Sequence, residues 1–135
     1  MESDIRADVA AALDAAERAR AKAYAPHSEF KMGTAVITDQ DEIIPGSLVE
    51  NVSLGLAMCS EQVALFSTVT NSAGRPKVLV LRSPRTDGKL TWPCGACLQV
   101  ARELGGSDMM IVASDGSRIE TAKLSDLAPR LPAKS

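Results

Sequence analysis

The sequence predicts an α/β protein, a three-layer α/β/α sandwich built on a mixed five-stranded sheet. Three observations carry that prediction. An alanine-rich amphipathic segment opens the chain, and the apolar run Val78-Leu79-Val80-Leu81 suits a central strand. The order of elements then reads helix, hairpin, helix, strand, helix, strand, strand. A hairpin followed by βα units places helices on both faces of a mixed sheet. At 135 residues the chain suits one domain, 1–135, with enough length to bury a core.

Between Asp4 and Tyr24 the apolar residues Ile5, Val9, Ala12, Leu13, Ala16, Ala19 and Ala23 follow helical spacing, with Arg6, Asp14, Glu17 and Arg18 on other faces. Ser3 or Asp4 can cap this helix and Pro26 should end it. Phe30 to Thr38 reads as a strand, Asp39-Gln40-Asp41 as a polar turn, and Glu42 to Val49 as the returning strand. Pro45-Gly46 inside that strand points to a bulge or an edge position. A loop over 50–57 leads to a mostly buried helix from Met58, with Val63, Ala64, Leu65, Phe66 and Val69, ending before Gly74-Arg75-Pro76. Lys77 to Arg82 is the central strand. Cys94 to Leu104 is a third helix stopped by Gly105-Gly106. Met109 to Ala113 and Arg118 to Ala122 supply two more strands, Lys123 to Ala128 one helical turn, and the tail from Pro129 is expected to be loose.

Composition narrows the function. With 15 Lys plus Arg against 17 Asp plus Glu, the net charge is -2, and no basic run marks a nucleic-acid or anionic-membrane binder. No apolar stretch is long enough to span a bilayer, and the acidic start Met1-Glu2-Ser3-Asp4 does not read as a signal peptide. Three cysteines, an odd number, fit reduced thiols in a cytoplasm better than a disulfide framework.

Those cysteines fall in a pattern. Cys59 and Glu61 sit two residues apart at the start of one helix, and Cys94 and Cys97 three apart at the start of another. A turn entering a helix can aim two sulfurs at one metal ion, with Cys59 joining from the neighbouring helix. Three soft ligands suit tetrahedral Zn²⁺ and leave one position open, as in catalytic sites. Helix starts offset the charge of three thiolates. Glu61 is too close to Cys59 to be a comfortable ligand, yet well placed to move a proton of water held there. Other readings stay open: a dithiol redox pair, three inert thiols, or a structural zinc lacking its fourth ligand, since the only histidine, His27, is distant. Pro93-Cys94-Gly95-Ala96-Cys97 paired with Cys59-Ser60-Glu61 favours a catalytic zinc.

The same residues resemble the zinc deaminases, whose layout is a His or Cys ligand, a Glu two residues on, and then Pro-Cys-x-x-Cys. The likeness extends to Ala25-Pro26-His27-Ser28-Glu29-Phe30-Lys31-Met32-Gly33-Thr34-Ala35, to Val49-Glu50-Asn51-Val52-Ser53-Leu54-Gly55-Leu56 and to Cys97-Leu98-Gln99. Over nearly its whole length the chain is similar to the small homotetrameric cytidine deaminases. That resemblance implies hydrolytic deamination at C4 of a cytosine ring, with Zn²⁺ on Cys59, Cys94 and Cys97 and Glu61 as acid–base catalyst. It also implies that Phe30 packs against the pyrimidine, that Glu50 holds the sugar 3′-hydroxyl, and that the chain is a cytoplasmic homotetramer in pyrimidine salvage.

The departures from the family cluster around the sugar. Leu48-Val49-Glu50 stands for Asn-x-Glu, Leu54 for a tyrosine that reaches a neighbour's nucleoside, and His27 for a tyrosine after the proline. The terminal phenylalanine that covers a neighbour's pocket is missing from Ala128-Pro129-Arg130-Leu131-Pro132. A site that loses hydroxyl-binding groups selects ribose less well. Cytidine or deoxycytidine is therefore the leading substrate, and a modified cytosine nucleoside such as blasticidin S, or another cytosine-like amine, is the alternative. A zinc-stabilised inactive binding protein has no need of Glu61. DNA or RNA editing is not expected without a basic groove and further aromatics. Near the metal, Gln62 and Leu98 stand where arginines help neutralise the thiolates, and the sequence shows no substitute for them.

Overall fold

A computed structural model describes residues 6–133. Its elements follow from two periodicities. In the strands, alternate residues face opposite sides of the sheet. Val36, Leu79, Leu81 and Ile111 therefore join one apolar cluster, while Ala35, Ile37, Val78, Val80 and Val112 join another. The helices cover these two faces. Helix α1 (Ala7–Ala21) buries Val9, Ala12, Ala15, Ala16 and Ala19 against the second set. Helices α2 (Ser60–Thr70) and α3 (Gly95–Gly105) cover the first, with Ala64, Leu65, Leu98 and Ala101.

The strands are β1 (Gly33–Thr38), β2 (Ile43–Ser47), β3 (Pro76–Arg82), β4 (Met110–Ser114) and β5 (Ile119–Lys123). They pair in the order β2-β1-β3-β4-β5. Only β3 and β4 run parallel, joined by the α3 crossover; the other pairs are antiparallel. The mixed five-stranded sheet between helical layers is thus as expected, with Val78–Leu81 in the central strand. A short helix α4 (Leu124–Leu127) closes the chain against β5 and buries Leu124.

Two glycines set how closely the layers meet. A Cβ on Gly33 would lie 2.1 Å from Ala16 O, beneath α1. One on Gly46 would lie 2.4 Å from Ala64 N and 2.5 Å from Ser60 O, beneath α2. Gly46 therefore explains the Pro45-Gly46 interruption: β2 is an edge strand whose register with β1 stays regular, and the glycine admits the first turn of α2.

Several boundaries differ from expectation. Helix α1 stops at Ala21, because Tyr24 leaves it to pair with the 48–50 segment, donating to Leu48 O at 2.9 Å and accepting from Glu50 N at 2.8 Å. The cap expected at Ser3 or Asp4 lies outside the described residues. Strand β1 begins at Gly33 rather than Phe30, because Glu29 (φ 59°) turns the backbone and Lys31 N bonds back to Glu29 O. Helix α2 is less buried than its composition suggests, with Phe66 and Val69 exposed. The tail is held rather than loose as far as Pro132: Leu131 packs on the core, and Gln99 Nε2 donates to Pro132 O at 3.0 Å.

Candidate active site

Two helix starts meet over the sheet, and each carries a cysteine at its N-cap. Cys59 precedes α2 and Cys94 precedes α3, both with extended backbone (ψ 145° and 170°). Their carbonyls accept the first bonds of the helices, from Val63 N at 3.1 Å and Leu98 N at 2.9 Å. Ser, Thr, Asp or Asn at an N-cap usually turns its side chain back onto the helix amides. Cys59 makes no such bond, and at Cys94 the α3 amides of Ala96 and Cys97 favour the thiolate without closing a regular capping hydrogen bond, so both thiols can take a metal. Cys97, one turn into α3, is buried and completes the group.

The three sulfurs lie within 4.8 Å of one another, with Cys94 Sγ 3.5 Å from Cys97 Sγ. A tetrahedral zinc with bonds of ~2.3 Å would separate its sulfurs by roughly 3.8 Å, so the donor set fits Zn²⁺ without rearrangement of the backbone. Three ligands leave one coordination position for a reactant. All three cysteines are free, and among the described residues the histidine, His27, lies exposed in a different turn rather than beside them.

The electrostatics answer the question left by the missing arginines. Burial pushes the Cys59 and Cys97 thiols up. At Cys94 burial acts the same way but is outweighed by the backbone N–H of Cys97, the Cys97 thiol and the N–H of Ala96, and the thiol falls below its ordinary value. The α3 start thus stabilises a thiolate through its amides. Gln62 supplies a further donor, its Nε2 lying 3.5 Å from Cys97 Sγ. A neutral amide dipole stands there in place of a full charge. Leu98 contributes nothing to charge balance, because it is packed in the α3 core cluster.

Glu61 sits in the first turn of α2, only 4% exposed. Burial pushes its carboxyl up, opposed by its own backbone amide and by Ser60, whose Oγ donates to Oε1 at 2.9 Å. A carboxyl raised in this way is better suited to accept and return a proton than an ordinary surface glutamate. Glu61 lines a cavity of about 240 Å³ together with Cys59 and Cys94. Phe30, Met32, Leu48, Ser60, Thr91 and Trp92 complete the wall.

The sequence-selected residues therefore divide. Cys59, Cys94, Cys97, Glu61 and Phe30 converge on one place. Glu50 is not part of that wall. Its carboxylate accepts from His27 N at 2.9 Å, from Ser28 N at 3.2 Å and from the Ser28 hydroxyl, and these bonds, the Ser28 hydroxyl foremost, hold it below the usual carboxylate range. Met32 and Thr91 were not singled out by the sequence, although Met32 has a local signal in lying two residues from Phe30.

Known proteins share this arrangement. The family model described as "Cytidine and deoxycytidylate deaminase zinc-binding region" matches residues 7–113. The chain belongs to that deaminase family. A cytidine deaminase of Mycobacterium tuberculosis (strain CDC 1551 / Oshkosh) is 36% identical over 114 residues, covering 84% of this chain and 81% of that protein. One from Halalkalibacterium halodurans is 35% identical over 113 residues, 83% of this chain and 84% of that protein. The crystal structure of cytidine deaminase from Burkholderia pseudomallei superposes with a TM-score of 0.83 at 36% identity, covering 90% of this chain and 97% of that one. Membership makes the chain a hydrolase of the zinc-binding deaminase type, and the three-cysteine cluster fits Zn²⁺.

Proposed function

We propose that this chain, acting as one domain, hydrolyses the C4 amino group of cytidine and deoxycytidine, giving uridine or deoxyuridine and ammonia. The observation that carries the proposal is the convergence of three free thiols with the buried carboxylate of Glu61 on one cavity that also presents Phe30. Zinc held by Cys59, Cys94 and Cys97 supplies Lewis-acid activation of water. Glu61 does the proton work: as the water oxygen bonds to C4, it takes one proton and delivers it to ring N3. It then carries the second proton from the new C4 hydroxyl to the amino group, which leaves as ammonia as the C4–N bond breaks and C4=O forms. Phe30 offers an aromatic surface to the pyrimidine, and the half-buried Trp92 closes the wall beside Cys94. A cavity walled by apolar side chains excludes bulk water and strengthens each electrostatic contact within it.

Glu50 is assigned the sugar 3′-hydroxyl: the His27–Ser28 turn donates three hydrogen bonds to its carboxylate and leaves acceptor capacity for a fourth. Leu48 on the cavity wall, which offers no hydrogen bond to a ribose, is what motivates a second reading in which the substrate is a modified cytosine nucleoside such as blasticidin S.

A homotetramer in the cytoplasm serving pyrimidine salvage completes the reading. Exposed apolar residues support self-association: Val52 (85%), Leu54 (84%), Leu56 (69%) and Val69 (61%) face solvent in the single chain. Such surface suits an interface between copies. No helix among the described residues is long and apolar enough to cross a membrane.

An ultraviolet deamination assay on zinc-loaded protein tests the reading with cytidine, deoxycytidine, cytosine and blasticidin S. Turnover of the first two is expected, and light scattering on the same preparation should give four chains. Stoichiometric zinc with no turnover of any compound overturns the activity, and a monomer overturns the assembly.

A further inference from the structure

Two buried hydroxyls adjoin the acid–base carboxylate without being metal ligands. Thr34 and Ser60 are both 0% exposed. Thr34 lies on β1 between Met32 and Val36, which share its face and belong to the apolar cluster under α2 and α3. Valine would have the same shape at that position and no polar atom to satisfy. A buried hydroxyl is unfavourable unless it is hydrogen-bonded, so its partners indicate what it is for.

Thr34 Oγ1 lies 2.8 Å from Ser60 Oγ, and Ser60 Oγ lies 2.9 Å from Glu61 Oε1. Each hydroxyl has one proton to give. Ser60 gives its proton to the carboxylate, which makes Thr34 the donor to Ser60 and sets one direction for the whole chain of bonds. Adjacent residues on a helix do not face one another, so the Ser60 hydroxyl needs an outside support to stay turned toward Glu61. Thr34 is that support. Gly46 makes the contact possible: it pairs with Thr34 across the hairpin and lets the first turn of α2 approach the sheet.

We propose that Thr34 and Ser60 are positioning residues that fix the rotation of the Glu61 carboxylate, committing Oε1 and presenting its other oxygen to the reacting water and ring. The terminal torsion of a glutamate is otherwise broad. The proposal rests on the reading of Glu61 as the acid–base group, and it assigns no proton transfer to either hydroxyl.

The test compares Thr34→Val, which removes only the hydroxyl, with Thr34→Ser, which keeps it, both zinc-loaded and with metal content measured. Loss of the neutral Thr34–Ser60 hydrogen bond should lower kcat for cytidine about two- to tenfold in Thr34→Val with KM little changed, and Thr34→Ser should restore most of the loss. Infrared spectroscopy of the same proteins supplies a readout independent of turnover. The Glu61 carboxylate band, identified by its disappearance in Glu61→Gln, should shift in Thr34→Val and return in Thr34→Ser. An unmoved band with unchanged kcat overturns the proposal, as does a raised KM with kcat intact. If Thr34→Val does not fold, Ser60→Ala must show the same kcat loss and band shift, and finding neither overturns it. A wild-type protein inactive on every cytosine compound removes the functional reading alone, since the infrared comparison still decides whether the hydroxyls hold the carboxylate.

Discussion

The cavity has two firmly built sides, a polar one of cysteines and carboxylate (the floor) and an apolar one (the mouth), and they differ in what they offer a ligand. At the floor, two helix starts hold Cys59 and Cys94 at N-cap positions with their sulfurs within 4.8 Å of that of Cys97, and Glu61 is buried beside them. At the mouth, the 48–50 segment is pinned just as firmly: Leu48 N bonds to Met32 O at 3.1 Å, and Val49 exchanges bonds with Met58 at 3.1 and 2.8 Å. Yet Phe30, Met32, Leu48 and Trp92 offer no charge or strong acceptor, and Glu50 lies off that wall, holding its own turn. The floor gathers three thiols and a carboxylate suited to a metal and to proton transfer, whereas the mouth is lined mostly by apolar side chains. Reaction type and substrate choice are therefore separable in this chain, and substitutions at the two ends should divide between kcat and KM.

The largest effect belongs to the floor. Glu61→Gln keeps the size and the fold of the site but cannot accept a proton. It should retain stoichiometric zinc while kcat falls by at least ~10²–10⁴-fold, the range for a positioned acid–base group. Persistent turnover with zinc bound would remove Glu61 from the mechanism. At the mouth the expected change is smaller and of another kind. Leu48→Asn returns a hydrogen-bonding group to the wall of the cavity, and the KM for cytidine should improve by about tenfold with kcat nearly unchanged. An unaltered KM would mean that this wall does not meet the ribose, and would strengthen the modified-nucleoside reading.

The same contrast explains what the sequence revealed. The floor was legible because its information is local: Cys94 and Cys97 are three residues apart, Cys59 and Glu61 two, and each pair opens a helix. The five strands were legible because period-2 burial and the Val78–Leu81 run are also local signals. The mouth was not, since Met32, Leu48, Thr91 and Trp92 come from separate segments, and an apolar residue on a cavity wall looks like a core residue. The exposed side of α2 was obscured for a similar reason: Phe66 and Val69 have the character of core residues, and only the packed chain shows them facing outward. Ser60 and Thr34 escaped notice because a hydroxyl in an apolar pattern acquires meaning only when its partner, twenty-six residues away, is in place.

The smallest effect should come from the loop that carries Trp92 to the wall. Arg118 NH2 donates to Gly88 O at 2.8 Å, and the same guanidinium is held by Asp115, with Oδ2 at 3.1 Å from NH2 and 3.3 Å from Nε. Asp115 also accepts from Ser117 N at 3.0 Å and Arg118 N at 2.9 Å, and these backbone bonds, Ser117 first, hold its carboxyl well below the usual range. The sign follows from that direction. A carboxyl depressed in the folded state stabilises the fold at any pH above the unfolded value of about 4, and the contribution is lost as pH falls below it. Asp115→Asn should therefore lower the thermal midpoint at pH 7, and the gap from wild type should narrow as the pH is taken below about 4. Because Arg118 then holds Gly88 less firmly, the KM for cytidine should rise slightly while kcat stays unchanged. A pH-independent gap would mean that the charge is irrelevant and only the turn geometry counts. A fall in kcat would instead tie this loop to the floor of the cavity and dissolve the separation between its two ends.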